Sequence, residues 1–383
     1  MKICHVSYDD VDNPWLGGGG AVRAREIYRR LTDRHEITFI TGMFPQAERE
    51  GWVDGMRFCR VGSATSYRRS RLSYCREAIA ALAQLQCDVW VYEFSAFAPL
   101  RVPVALRRKA VLLFQHIMGL EALRKRPLAG LVALYAERTV IQSYPRIITV
   151  SPSLQQRVQS QLKSRGARVH CVYNGVDARY FASPSAPQSR GSDILYFGRL
   201  DIHTKGLDLL IAAFSQIAAN FPSTNLVLAG RGADDQVRAL NERIRRSGLG
   251  ERLKLKVGVS EEEKVDLMAH AMFLCMPSRY EGWGMVAVEA AAAGAAVLGT
   301  NIDGLRDAVS DGESGLLVPA DDADALARGM RQLLEDEPLR QRLGKTGRER
   351  ARRFDWDDIA LEKEGLLQQA LADIERADYQ CPS

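Results

Sequence analysis

The sequence predicts an α/β protein of two units, each a parallel sheet covered by helices. Short apolar runs that read as buried strands alternate with helix-period segments along the chain. The alternation pauses at the polar, Pro/Ser-rich stretch 182–192, which reads as an interdomain linker, and then restarts. The 383 residues suffice for two domains of ordinary size. Ligands of such sheets bind beyond the carboxyl ends of the strands, so the expected site is the cleft between the two domains.

In order, Met1–Tyr8 reads as a buried first strand, without the apolar core and small-residue cleavage site of a signal peptide. Further strands are expected at 36–41, 88–92, 110–114 and 146–150, and helices over 21–32, 72–86 and 128–142. Pro145, Pro152 and Asn174-Gly175 punctuate this half. Beyond the linker the pattern predicts a strand at 193–197, a helix over 206–220, and strands at 225–229, 253–257, 271–276 and 296–299. A last helix over 357–376 follows Trp356.

Composition narrows the classes. Hydrophobic content of 46% and charged content of 26% are those of an ordinary globular protein, and no apolar stretch reaches the length of a membrane span. Seven scattered cysteines without a CxxC argue for reduced thiols in a cytoplasmic protein, against a disulfide framework and a zinc site. Residues 1–190 hold 28 Lys and Arg against 15 Asp and Glu, while the remainder holds 24 against 32. The positive charge clusters at Arg68-Arg69-Ser-Arg71, Arg107-Arg108-Lys109 and Arg124-Lys125-Arg126. These clusters read either as solvated helix ends and loops or as a surface for anionic lipid or an anionic acceptor. No nucleic-acid-binding motif accompanies them. Three Asp-x-Asp matches (Asp10, Asp322, Asp355) are what chance gives in so charged a chain, and Gly344-Lys345-Thr346 lacks the first glycine of a P-loop.

The most informative segment runs from Ser278 to Gly294, with Glu281 and Glu289 eight positions apart around Gly282-Trp283-Gly284 and an Ala-rich run. Ala favours helix and Gly does not, so Glu281 is expected in a loop and Glu289 about two turns into a helix. The N–H groups of Gly282, Trp283, Gly284 and Met285 would then lie free at the helix N-terminus, a geometry for a diphosphate. At about 1.5 Å per helical residue the two backbones stand roughly 10–12 Å apart. A glycosidase nucleophile/acid pair needs about 5–5.5 Å, so two separate binding contacts are the more natural reading.

Three further segments carry chemistry. Arg199 and Lys205 share one strand-to-helix loop and suit two phosphates. Gly17, Gly18, Gly19 and Gly20 follow the first strand; they fail the GxGxxG pattern and read as a mobile loop over a ligand or a plain flexible turn. His116 follows the strand 110–114, where a lone histidine is either a structural hydrogen-bonder or a cleft-facing functional group.

Together these features, with Val150-Ser151-Pro-Ser153 and Asn174-Gly175-Val176-Asp177, resemble the retaining glycosyltransferases of family 4, which have the GT-B fold of two Rossmann-like domains facing each other across a cleft. The resemblance implies an acceptor-side domain over residues 1–182, with the C-terminal helix at about 357–383 packing back on it, and a nucleotide-sugar-binding domain over 183–356. It implies that Arg199 and Lys205 hold the donor diphosphate and that the amides of Gly282 to Met285 bind phosphate and sugar. Glu281 would bond the sugar hydroxyls and Glu289 the ribose, which disfavours a deoxythymidine donor. His116 would contact the transferred sugar, Gly258 would line the base, and Gly17 to Gly20 would line the acceptor and phosphate side.

The implied reaction needs no cofactor and no metal. A UDP- or GDP-sugar is the donor substrate, and the acceptor is a glycan, a lipid-linked glycan or a small molecule. The implied location is the cytoplasm, with a peripheral position at the inner face of a membrane allowed by the basic half. A nucleotide-sugar epimerase or binding protein on the same fold is the alternative. Two departures from the family stand out: Gly230-Arg231-Gly232 where an acid is common, and Trp283 where Phe is common.

Overall fold

The computed structural model describes the chain except for residues 16, 96–101, 118, 120–126, 164–165, 183–190 and 381–383. The cluster Arg124–Arg126, most of the expected linker and Cys381 therefore lie outside the described residues. The chain divides into two compact units: Met1–Asn174 together with Trp356–Ser383, and Gly175–Asp355.

The first unit is an eight-stranded sheet. Its strands are β1 (Lys2–Val6), β2 (Glu36–Gly42), β3 (Glu50–Val53), β4 (Met56–Val61), β5 (Val89–Glu93), β6 (Ala110–Phe114), β7 (Arg146–Thr149) and β8 (Arg168–Cys171). They lie in the order β3-β4-β2-β1-β5-β6-β7-β8, and all pairs are parallel except β3 with β4. Strands β5 and β6 are buried throughout, as a sheet covered on both faces requires. Strand β4 escapes the apolar pattern because Arg60 points inward, where Asp10 neutralises it at 2.9 Å. The helix expected over 21–32 runs from Gly19 to Arg29, so Gly19 and Gly20 form its first turn instead of belonging to a loop. Gly20 is closely approached: a Cβ there would stand 2.6 Å from Glu93 Oε1 and would displace that carboxylate. Ser66 caps the helix Tyr67–Gln84, and Ser151, followed by Pro152, caps the helix Pro152–Gln161.

The helix Trp356–Gln380 packs on Gly19–Arg29 and carries Asp357, Glu364 and Asp373 to Arg30, Arg34 and Arg168 at 2.5–2.9 Å. It also places Lys363, fully buried, beside a polar group of His5, Glu93 and Arg23. His5 Nε2 and Glu93 Oε2 are 3.0 Å apart. Burial pushes Glu93 up, but His5, Arg23 and Lys363 outweigh it and hold the carboxyl below its usual range. Burial lowers His5, and burial with Arg23 holds Lys363 well below an ordinary lysine.

The second unit is a six-stranded parallel sheet in the order β11-β10-β9-β12-β13-β14. Its strands are β9 (Asp193–Arg199), β10 (Asn225–Arg231), β11 (Leu253–Val257), β12 (Phe273–Met276), β13 (Ala296–Thr300) and β14 (Leu316–Val318). Ile194, Leu226, Phe273 and Leu298 from the sheet pack with Phe214 and Met330 from the covering helices. Both units are thus parallel-sheet, Rossmann-like domains.

Candidate functional site

In the second unit β9 and β12 are neighbours, so the loops leaving their carboxyl ends meet. The loop after β9 enters the helix Leu207–Ile217 through Gly206, whose φ of +65° is left-handed. A Cβ at Gly206 would stand 2.0 Å from the Pro277 carbonyl oxygen, so only glycine lets the two loops touch. Arg279 then locks them. Its backbone N–H donates to Thr204 O at 3.1 Å, and its guanidinium donates to His203 O at 2.8 Å and to both oxygens of Asp208 at 2.8 and 2.9 Å. Arg279, absent from the expected set, was visible only as one more arginine before Glu281.

This clamp brings Lys205 to Glu281, and the two side chains form an ion pair with an eighth of each accessible. Ser278 Oγ donates to the same Glu281 oxygen at 3.1 Å. The helix Met285–Ala292 follows, with Gly284 at its N-cap and Trp283 buried edge-on to Phe354 at 5.1 Å. One expected anion contact is corrected: the Met285 N–H is not free but donates to Trp283 O at 2.9 Å, because the chain turns tightly into the helix.

Glu289 lies in that helix, as expected, but it is buried. Lys264, from the helix Glu261–His270, bonds its Oε1 at 2.8 Å, and Oε2 is buried without a hydrogen-bond partner. Burial raises the Glu289 pKa, with Lys264 pulling against it. The Lys264 ammonium also stands 5.5 Å from the Tyr180 ring and 5.3 Å from the Phe197 ring. Lys264 was not anticipated. Its signal was a lysine four residues before Met268, on the face where that helix buries its side chains.

At the carboxyl ends of β9 and β10, Arg199 and Arg231 stand opposite each other in register, both exposed and without an ion-pair partner among the described residues. Gly258, exposed with φ of +77°, follows β11 and donates its N–H to Gly230 O at 2.9 Å. The remaining expected residues belong to the first unit. His116 is exposed two residues beyond β6. Gly17 and Gly18 precede the helix that begins at Gly19. Arg68 and Arg69 are exposed in the first turn of the helix Tyr67–Gln84, while Arg71 stacks on Tyr8 at 4.5 Å. Asp10 is bound to Arg60, and Asp322 caps the helix Ala323–Glu335. Among the described residues no group of three His, Cys, Asp or Glu could hold a metal ion.

Two family models match the chain: Glycosyltransferase Family 4 over residues 17–180 and Glycosyl transferases group 1 over 182–350. A phosphatidyl-myo-inositol mannosyltransferase of Mycolicibacterium smegmatis is 33% identical over 204 residues, 52% of each protein. The chain spans about half the length of the curated relatives it matches. Among solved structures, the sucrose-phosphate synthase from Thermosynechococcus elongatus superposes with a TM-score of 0.83 at 21% identity, covering 97% of this chain and all of the other. The Anabaena protein HepE, in complex with UDP and glucose, gives 0.74 at 20%, covering 96% and all of the other. The two models follow one another across nearly the whole chain and the folds agree: the chain belongs to glycosyltransferase family 4, on the GT-B fold.

Proposed function

We propose that the protein is a retaining glycosyltransferase that moves a sugar from a nucleoside-diphosphate donor to a hydroxyl acceptor. The observation that carries this is the pair of loops locked by Arg279, which presents Lys205 and Glu281 beside a helix N-terminus at the carboxyl ends of β9 and β12. Arg199 and Lys205, with Arg231 next to Arg199, supply the positive charge that a leaving diphosphate needs. Glu281 orients the sugar, His116 contacts it, and Glu289 receives the ribose. The reaction follows a front-face path in which the departing diphosphate oxygen takes the acceptor proton, so the protein positions its substrates and stabilises charge without a metal. UDP or GDP is the carrier; the HepE complex with UDP and glucose supports the former.

A thermal-shift screen with UDP, GDP, ADP and dTDP tests donor binding, because a ligand of the folded state raises its stability. Transfer assays with and without EDTA, with NMR of the product anomer, test the chemistry. No stabilisation by any nucleoside diphosphate, or an inverted product, overturns the proposal. A sugar nucleotide altered with no acceptor present would show an epimerase.

The acceptor reading that an observation favours is a glycan or lipid headgroup at an anionic membrane surface. On the helix Pro127–Ile141, Leu128, Leu131, Val132 and Tyr135 share one exposed face at helical spacing, with Leu128 83% and Tyr135 70% accessible. The exposed residues of that face continue with Arg138 and include no acid, since Glu137 is buried. Among the described residues no helix is long and apolar enough to cross a membrane, so contact would be peripheral. The relative from M. smegmatis is named for a lipid acceptor, which agrees. Sedimentation with phosphatidylglycerol and with phosphatidylcholine vesicles, at low and high salt, tests it. Binding only to the anionic vesicles, lost in Leu131→Glu/Tyr135→Glu, is expected. No binding makes a soluble acceptor the better reading.

A further inference from the structure

We propose that Lys264 is a positioning residue of the donor site, holding the Glu289 carboxylate charged and in place for the two ribose hydroxyls. The inference rests on the reading of Glu289 as the ribose contact. Glu289 is buried, and a buried carboxylate survives as an anion only when paired. Lys264 Nζ provides the pairing at 2.8 Å and takes Oε1. Oε2 is buried with no hydrogen-bond partner, a costly state for a charge, and the neighbouring Tyr180 hydroxyl is unpartnered too; a donor hydroxyl would satisfy that oxygen.

The surroundings keep the lysine in place. Its ammonium stands over the ring of Tyr180, from the turn Ala178–Ala182, at 5.5 Å and over that of Phe197 in β9 at 5.3 Å. Glu261, a turn earlier on the same helix, stands 3.8 Å away. The capping box of Ser260 and Glu263 fixes the start of that helix. The charged and titratable groups facing Glu289 are therefore Lys264, Glu261 and Tyr180. The helix Glu337–Ala351, packed on the other side, brings glycines: Gly347 against Ala291 and Gly344 against Gly294. Lys264 is thus the cation the site depends on. Without it, burial and Glu261 both favour the protonated acid, which would spoil the acceptor for a ribose hydroxyl.

The test is calorimetric titration of the full chain with UDP and with 2′,3′-dideoxy-UDP across mildly acidic to mildly alkaline pH. The affinity ratio of the two isolates the ribose contact and cancels titration of the phosphate. In the wild type the ratio should be large at neutral and alkaline pH and fall only toward the acidic end, where the raised carboxyl takes a proton. In Lys264→Met it should collapse at acidic and neutral pH and recover at alkaline pH, with its midpoint raised by about one to three pH units. Lys264→Arg should restore the wild-type profile, and dideoxy-UDP affinity should not change in any variant.

Should Lys264→Met fail to fold, Lys264→Met/Glu289→Gln removes the uncompensated charge, and its ratio should be low at every pH. A Lys264→Met profile like that of the wild type overturns the role of Lys264 and leaves Glu289 as the ribose contact. A wild type that binds both nucleotides equally overturns the ribose reading itself, and this inference with it.

Discussion

The ammonium of Lys205 bonds the carboxylate of Glu281, two side chains 76 positions apart that meet because β9 and β12 are neighbours. Each therefore sets the electrostatics of the other before any donor arrives. Lys205→Ala should weaken UDP binding by about ten- to a hundredfold, the worth of about 1.5–3 kcal/mol for a hydrogen bond to a charged group. Glu281→Ala should lower transfer by about a hundredfold or more while sparing most UDP affinity, since it releases Lys205 to the diphosphate. Calorimetry and single-turnover assays on the two variants check the split.

Arg279 joins both loops through Asp208 and His203. Its fork reaches two oxygens of one carboxylate, which lysine cannot do. Arg279→Lys should therefore lower the stability of the second unit by about 1–3 kcal/mol and raise the donor KM. Urea unfolding alongside steady-state kinetics measures both; a variant with unchanged stability and unchanged KM would show that the clamp is unnecessary.

Arg199 and Arg231 face each other in register, and like charges so placed repel. Arg231→Asp should raise the unfolding temperature without ligand, by about the 0.2–1 kcal/mol of a cross-strand pair, and weaken UDP binding with a shallower salt dependence. Thermal melts and titrations at two ionic strengths give the answer. A variant that binds UDP as the wild type does makes Arg231 a solvent residue.

The buried group of His5, Glu93 and Lys363 makes the first unit acid-sensitive. His5 and Lys363 have lowered pKa values, so the unfolded chain binds protons that the folded unit refuses, and stability rises with pH below about 6.5 for His5 and about 10.4 for Lys363. The Glu93 contribution has the same sign: it is lost only as the pH falls through its lowered folded value. Denaturant unfolding should show the first unit weaker at pH 5.5 than at pH 8. Lys363→Met should stabilise it, more at the lower pH, because the unfolded chain no longer gains a proton there that the folded unit refuses.

Much of the candidate site was legible in the chain. Arg199, Lys205 and Glu281 stand at or just beyond the ends of strands that apolar runs announce, and the Ala-rich run announces the helix that carries Glu289, so strand order brings these segments together. What could not be read was pairing between segments distant in sequence. Lys264 and Arg279 look like ordinary surface cations until the fold sets Glu289 and Asp208 beside them. The short edge hairpin of β3 and β4 escaped because its inward Arg60 breaks the apolar pattern and is neutralised by Asp10, far away in the chain. The free amide expected at Met285 failed on a local turn whose backbone geometry composition does not encode.

The helix Trp356–Gln380 belongs to a unit whose other residues end at Asn174, which gives synthesis a timetable. At about 5–20 residues per second, the ribosome takes roughly 10–40 s to travel from Asn174 to the end of that helix. During that interval His5, Arg23 and Glu93 lack the helical wall that carries Lys363, while the second unit, continuous in sequence, gains the last of its strands at Val318, before that helix is made. The half of the chain that is made first is the last to be finished.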